Sequence, residues 1–311
     1  MKITRIAGYI PDRRLDNYAR QNDFGITAEF IDTKLGANAV ARKSDEQETS
    51  DLCVSAYNAL TEEAGQQYDD VDCLIVCTQN PDAQGIPHTS AIVHGKLVLP
   101  ENCASFDISL GCSGYVYGLS IISSFMSANG LRRGLLFTAD PYSKIVDMND
   151  KNTCLLFGDG ATVTLIETST SDTGVWRPDH FQFFTRGRDG DALCIENEHL
   201  HMNGRAVFSF SATETPPLIT RSLEAAGLTQ QEVDLFLLHQ GSKYIVDTIR
   251  ARLDIPADKV PFGMTTYGNT VSSSIPMLLK DQLDNPEFSK LLLCGFGVGL
   301  SAASCILTRQ L

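Results

Sequence analysis

Short, unbroken apolar runs recur along this chain with room for a helix between most of them, and that rhythm limits the fold more than any other feature. KITRIAGYI, VDCLIVCTQ, CASFDISLG, GLLFTAD and TCLLFGDGATVTLIE precede residue 175, and VDLFLLHQ, KLLLCGFGVG and LSAASCILT follow it. A run without polar alternation fits a strand covered on both faces. Between the runs lie stretches with apolar residues at helical spacing. TSDLCVSAYNALTEEAG opens on Thr/Ser and closes on Gly, and SGYVYGLSIISSFMSANG, TPPLITRSLEAAG and SKYIVDTIRARL read the same way. Strands alternating with helices define an α/β architecture. The segment from about 168 to 191, with STSDTG and RGRDGD, is polar and rich in Gly and Ser, and reads as a connector. It separates residues 1–170 from residues 171–311, each with its own strand–helix series. Duplicated halves are expected, although no repeat is visible in the letters.

Composition narrows the function. The 311 residues are 43% apolar, enough for a sizeable core, and carry a formal net charge of −13. That charge argues against a nucleic-acid binder, because phosphate contacts need clustered Lys and Arg. It suits a protein that handles small molecules. Nine cysteines are present, with no repeated CxxC pairing to hold zinc. Cys73, Cys77, Cys294 and Cys305 sit in apolar runs and read as small buried hydrophobes of a reducing compartment. The N-terminus MKITRIAGYIPDRR lacks the apolar core of a signal peptide, and no run reaches the roughly 18 apolar residues of a membrane span. A cytoplasmic location, with no membrane and no nucleic-acid partner, is the expectation.

Three residues carry candidate chemistry. Cys112 lies in SLGCSGYVYGL, on the turn from a strand into a helix. There the first N–H groups have no intrahelical partner and carry partial positive charge, which stabilises a thiolate and lowers its pKa. Gly111 and Gly114 allow close approach of a backbone or ligand. The pattern suggests a nucleophilic thiol whose substrate carbonyl lies over backbone amides. His239 follows the apolar strand of VDLFLLHQGSK, at the carboxyl end where sites of open α/β sheets gather. Asn269, in TTYGNTVSSSIPMLL, follows Gly268 and precedes a helix. Taken singly, each is equally a buried cysteine or a satisfied loop residue; together they place Cys, His and Asn in strand-end loops.

DISLGCSGYVYGLS, LLHQGSKYIV, YGNTVSSSIP and GFGVGLSAA, in this order, resemble the 3-oxoacyl-acyl-carrier-protein synthase III family of condensing enzymes. FGDGA at 157–161 and LHMNGRAVF at 200–208, which contains Gly204, match further family stretches. The resemblance covers nearly the whole chain. It implies a thiolase-like fold of two similar halves in five layers, α-β-α-β-α, and a homodimer. It implies that Cys112 takes an acyl group from a thioester, and that malonyl on acyl carrier protein then loses CO2 and attacks the acyl-enzyme. The oxyanion donors would be the backbone N–H groups of Cys112 and Val298. His239 and Asn269 would hydrogen-bond the enolate oxygen; a carboxamide cannot act as a base at neutral pH. No cofactor or metal is implied.

The chain departs from the family pattern where substrates bind. Phe30 and Lys34 stand where Trp and Arg commonly hold the CoA adenine, and Lys151 replaces a frequent Arg. Lys lacks the bidentate, stacking contacts of Arg. The usual HQAN is HQGS, placing Ser242 near the expected pantetheine arm, and Tyr244 replaces a CoA-contacting Arg. These changes point to a donor other than acetyl-CoA, such as a carrier-protein thioester, or to looser CoA binding. Val298 is the middle position of GFGGG in the family. Ile86 lies where the family places a residue that lines the acyl pocket from the partner subunit. Arg205, Lys243, Arg250 and Arg252 are the expected docking face for an acidic carrier protein. Asp159 of FGDGA reads as a turn residue bonding its own backbone. His199 and His201 form a poor metal pair, His88 and His94 are loop and helix-surface residues, and Trp176 is a packing residue. Two other readings keep the fold: transfer of the acyl group to oxygen or nitrogen without decarboxylation, and a non-catalytic subunit beside a catalytic paralogue. A papain-like hydrolase does not suit the strand–helix series.

Overall fold

The computed structural model describes residues 1–168 and 174–309. Its centre is a nine-stranded sheet. The strands are β1 (Lys2–Tyr9), β2 (Cys73–Cys77), β3 (Ala104–Ile108), β4 (Arg133–Ala139), β5 (Ala161–Glu167), β6 (Trp176–Thr185), β7 (Leu235–Leu238), β8 (Lys290–Gly297) and β9 (Ser301–Arg309). Their order across the sheet is β7-β8-β9-β6-β1-β5-β4-β2-β3. The principal helices are α1 (Thr49–Ala64), α2 (Thr89–Leu97), α3 (Gly114–Asn129), α4 (Gly204–Ala226), α5 (Lys243–Arg252) and α6 (Ser274–Leu279).

The order contains its own repeat. β1, β5 and β4 run antiparallel in sequence, and β4 pairs parallel with β2. β6, β9 and β8 do the same, and β8 pairs parallel with β7. A single pair, Ile3 with Trp176, joins the two series. Only β3 has no strand counterpart among the described residues. The repeat reaches single atoms. Asp72 Oδ2 accepts from the amides of Arg132 and Arg133 at 2.8 and 3.2 Å, and Asp234 Oδ2 accepts from those of Ser289 and Lys290 at 2.7 and 2.8 Å. Those aspartates head VDCLIV and VDLFLL, so a repeat is present in the letters after all, at two strand starts.

The apolar runs are continuous because their two faces pack into different layers. In β2, Cys73 and Ile75 face a central cluster with α3 and α6, while Leu74 and Val76 face an outer one with α1. In β7, Leu235 and Leu237 face the same central cluster, while Phe236 and Leu238 face the other outer layer with α4 and α5. Helices therefore lie outside each half-sheet and between the two, in the order α-β-α-β-α.

The expected connector contains a strand. Residues 176–185, WRPDHFQFFT, form β6, which pairs with β9 along its length. Its burial alternates, and Pro178 and a register shift opposite Ser304 and Ile306 break the pattern, so it lacks a strand signature. The expected boundary at 170/171 lies outside the described residues. Trp176 is buried, with its indole N–H on the Leu283 carbonyl at 3.0 Å. Eight of the nine cysteines are buried and all are free; Cys194 is partly exposed. Among the described residues no helix is long and apolar enough to cross a membrane.

α4 contains Pro216 and Pro217. Proline supplies no N–H to the carbonyl four residues back, so the Ala212 carbonyl is orphaned within the helix. Arg252, from the end of α5, donates Nη1 to it at 2.9 Å. Arg252→Ala should therefore lower stability by about 1–2 kcal/mol, read as a shift of the urea midpoint with unchanged slope.

Candidate active site

His239 is the residue after β7, and its odd number continues the face of Leu235 and Leu237 into the central layer. There its Nδ1 lies 2.7 Å from Ser274 Oγ at the start of α6, and the Val271 carbonyl accepts from the imidazole. Burial drives its pKa down to about 3, with the Val271 carbonyl opposing the shift, so the ring is neutral. The ring of Phe296 meets it edge-on at 5.4 Å.

Cys112 lies two residues before Gly114, the first residue of α3. The end of β8 passes close beside it because that stretch is glycine: a Cβ on Gly295 would sit 2.6 Å from the Cys112 carbonyl oxygen, and one on Gly297 would sit 2.7 Å from Sγ. This approach brings the Val298 amide to the sulfur, together with the amide of Cys112 itself. The depressed pKa expected at a helix start is reversed. Burial dominates and pushes the thiol up to about 12; the two amides pull it down, and the charge of Asp140 adds to the rise. Burial thus favours the thiol over the thiolate.

Asn269 is held by three backbone neighbours. Its N–H donates to the Leu156 carbonyl at 2.8 Å, its carbonyl accepts from Gly158 at 2.9 Å, and Phe157 pairs with it in a parallel bridge. A Cβ on Gly158 would collide with the Tyr267 carbonyl, and one on Gly268, at φ +82°, would meet the Leu156 carbonyl oxygen at 2.8 Å. These glycines let the two segments touch. Buried Arg42 fixes the other side of the bridge, donating to the carbonyls of Phe157 and Cys154 at 2.6 and 3.0 Å. Asp159 accepts from the amides of Lys43 and Ser143 at 2.8 and 3.1 Å, so it ties distant segments together rather than bonding its own turn. The Asn269 Oδ1 accepts from the Val271 N–H at 2.8 Å, and Nδ2 has no partner among the described residues. Val271 has φ +54°. For a β-branched residue this conformation costs about 1–3 kcal/mol and persists only when neighbours enforce it.

Cys112, His239 and Asn269, each no more than 3% exposed, line one cavity of about 420 Å³. Phe30, Lys34, Lys151, Gly204, Arg205, Ser242 and Tyr244 line it too. Ser242 also caps α5, accepting from the Ile245 amide at 3.3 Å. Lys34 Nζ sits 3.6 Å above the Tyr244 ring, and Tyr244 stacks on Phe208 at 5.1 Å. Ile86 is 85% exposed and lies outside the cavity of its own chain. Lys243 pairs with Asp247 at 2.9 Å, and Arg250 and Arg252 donate to the carbonyls of Ile255 and Ala212. His199 and His201 are exposed on a short strand, His199–Met202, and His94 Nε2 meets the Pro100 carbonyl oxygen at 3.0 Å. Several residues that shape the site were given no role from the sequence: Val271, Ser272 and Ser274, although they lie inside YGNTVSSSIP, and Asp140. Their sequence signals are the serine run after YGNTV and an aspartate closing the apolar run GLLFTAD.

The layered fold, with a buried cysteine, histidine and asparagine around one cavity, defines a thiolase-like protein. Residues 106–185 match the 3-oxoacyl-[acyl-carrier-protein (ACP)] synthase III family, and residues 223–309 match its C-terminal region. The chain belongs to this family. It is 32% identical to the beta-ketoacyl-[acyl-carrier-protein] synthase III of Lactococcus lactis over 98% of both chains. It is also 32% identical to the corresponding protein of Geobacillus kaustophilus over 96% of both. The crystal structure of the Thermus thermophilus beta-ketoacyl-[acyl-carrier-protein] synthase III matches it with a TM-score of 0.91, at 30% identity over 99% of both chains.

The neutral burial of His239 has a thermodynamic consequence. Between the unfolded value of 6.5 and the folded value of about 3, the unfolded chain binds a proton that the native chain refuses. This contribution to stability is complete above pH 6.5 and is lost as pH falls towards 3. Urea midpoints measured at pH 7.5 and pH 5 should fall more steeply for the unsubstituted protein than for His239→Gln.

Proposed function

We propose that the protein catalyses a decarboxylating Claisen condensation, joining an acyl group held on Cys112 to malonyl carried by acyl carrier protein and giving a 3-oxoacyl thioester. The observation that supports this most is the single cavity shared by a sulfur under two backbone amides, a neutral imidazole and an unpartnered carboxamide nitrogen. In the first stage the Cys112 sulfur attacks the thioester carbonyl, the carrier thiol leaves, and the proton of Cys112 goes with it. The oxyanion formed on the way lies against the amides of Cys112 and Val298, each worth about 10²–10³ in rate. In the second stage the malonyl carboxylate leaves as CO2, and its electron pair passes into an enolate. The thioester oxygen bearing that charge accepts from Asn269 Nδ2 and shares the His239 Nε2 proton with the Val271 carbonyl, the Ser274 hydroxyl donating to Nδ1. The carbanion then attacks the acyl carbonyl and the Cys112 sulfur leaves. Neither stage requires a cofactor, since electron pairs move only between carbon, oxygen and sulfur.

The rim favours a phosphopantetheine-bearing substrate. Lys34, Lys151 and Arg205 line it, and among the described residues none of them has a carboxylate partner, in a chain of net charge −13. Arg205, Lys243, Arg250 and Arg252 form the docking face for the carrier, with Arg205 the member left unpaired among the described residues. Near the sulfur, Tyr142 Oη donates to Gln79 Oε1 at 3.3 Å and Tyr142 packs on Phe157 at 4.8 Å; Phe157 opens onto the cavity, while Tyr142, Gln79 and Val298 do not. This crowding favours a short acyl group. Exposed Ile86 fits a homodimer in which the partner subunit completes that pocket.

Two variants separate the stages. Cys112→Ala should abolish acyl loading, read as loss of the adduct by intact mass, and leave slow release of labelled CO2 from malonyl carrier protein. Asn269→Ala should load normally and condense about 10²-fold more slowly. Equal loss of both stages in Asn269→Ala overturns its assigned role. If no acyl thioester, on CoA or on carrier protein, gives an adduct on Cys112, the enzymatic reading fails.

A further inference from the structure

Asp140 is fully buried where β4 ends, and the chemistry above does not use it. Its Oδ1 accepts from the Gln79 amide at 2.7 Å and from the Thr78 hydroxyl at 3.5 Å. Its Oδ2 accepts from the Ser272 hydroxyl at 2.5 Å, and the Ser272 amide also donates to the carboxylate. Gln79, Thr78 and Asp140 belong to the first strand series, and Ser272 belongs to the turn that leads into α6 in the second. The neighbouring residue makes a parallel bond: Ser273 Oγ donates to the Thr138 carbonyl at 3.0 Å and lies 2.9 Å from Thr138 Oγ1. One residue upstream of Ser272 is Val271, held at φ +54°. Its N–H fixes the Asn269 carboxamide and its carbonyl accepts from His239. One residue downstream of Ser273 is Ser274, whose hydroxyl meets His239 Nδ1.

The order of bonds has one reading. A valine in the left-handed region relaxes unless its neighbours hold it. Relaxation would swing the Val271 N–H off Asn269 and its carbonyl off His239. The residues able to prevent this are Ser272 and Ser273, anchored on Asp140 and Thr138 across the join between the halves. We propose that Asp140, acting through Ser272, is a positioning residue that locks the Val271 turn and so aims Asn269 and His239 at the thioester oxygen. Asp140 touches no substrate atom in this arrangement; it acts through the turn. The inference rests on the two-stage reaction proposed above and concerns its second stage.

The test compares the two stages in the full-length protein. Ser272→Ala removes the hydroxyl and leaves the small, buried site otherwise intact. It should load Cys112 at a rate within about threefold of the unsubstituted protein and condense about 10²-fold more slowly, the scale expected for a misplaced catalytic group. Asp140→Asn keeps an acceptor for the Gln79 amide and a polar partner for Ser272, and should retain more condensation than Asp140→Ala. The decisive variant is Val271→Gly in the Ser272→Ala background. Glycine adopts positive φ without steric cost, so the drive to relax disappears and part of the condensation rate should return. Ser272→Ala that condenses normally, or that loses loading and condensation equally, overturns the proposal, as does a Val271→Gly addition that restores nothing. Failure of the underlying reaction is distinguishable, because the unsubstituted protein would then fail to load or to condense.

Discussion

A strand buried on both faces must send successive side chains into different layers, and the site of this protein depends on that parity. In β7, Leu235 and Leu237 enter the central layer while Phe236 and Leu238 enter the outer one. His239 continues the odd-numbered face, so it arrives among the starts of α3 and α6. A one-residue slip in the pairing of β7 with β8 would put every side chain of the strand on the wrong face. Asp234 guards against that slip, since its carboxylate binds the first two amides of the partner segment, Ser289 and Lys290. Asp72 does the same where β2 meets β4. The two aspartates thus set register in both halves, and register decides what reaches the cavity.

The second requirement is close approach of backbones. Gly295 and Gly297 bring the end of β8 against Cys112, while Gly158 and Gly268 bring the Phe157 segment against Asn269. At each place a single methyl group would meet a carbonyl oxygen or the sulfur. The polar bonds that cross between the halves do the remaining positioning. Ser113 meets Ser301 at 2.9 Å, Ser272 meets Asp140, and Ser273 meets Thr138. Such bonds are strong in a low-dielectric interior and costly if broken, because each leaves a buried polar atom without a partner. An apolar core alone would let the halves slide; the hydroxyl seam specifies one alignment.

Most of the fold was legible in the letters because strands buried on both faces, parallel or antiparallel, read as unbroken apolar runs. Most of those runs, and the helices α1, α3 and α5, were found with nearly their observed bounds; TCLLFGDGATVTLIE begins eight residues before β5, and α2 was not picked out. β6 was not, for the opposite reason: its faces alternate, Pro178 interrupts it, and its surroundings are polar. α4 was truncated to TPPLITRSLEAAG because two prolines normally start a helix rather than sit inside one; the Arg252 side chain that makes them tolerable comes from another helix. At the site, their places in strand-end loops and the family resemblance of the surrounding motifs brought out Cys112, His239 and Asn269. The groups that orient them were silent, because Asp140 and Ser272 acquire meaning only when two distant segments meet. Electrostatics was the least legible. A helix start argued for a depressed thiol pKa, and burial, which sequence does not report, reversed the direction.

That reversal fits the proposed chemistry. The thiol is protonated, the imidazole is neutral and the carboxamide has no charge, so the three groups around the cavity add none of their own. A charge felt at the sulfur is the carboxylate of Asp140, whose pKa burial pushes up to about 6 against the hydrogen bonds from Gln79 and Ser272. A malonyl carboxylate entering such a space gives up water and finds no cation at the reacting end, since Lys34, Lys151 and Arg205 stand with the aromatic residues of the rim. Burying an unpaired carboxylate is expensive, and in the proposed reaction loss of CO2 would relieve that cost by moving the charge onto an oxygen facing Asn269 and His239. The same cavity offers an uncharged acyl thioester no comparable penalty. Neutrality at the centre and positive charge at the mouth would thus let one site accept both substrates while destabilising only the one that must decarboxylate.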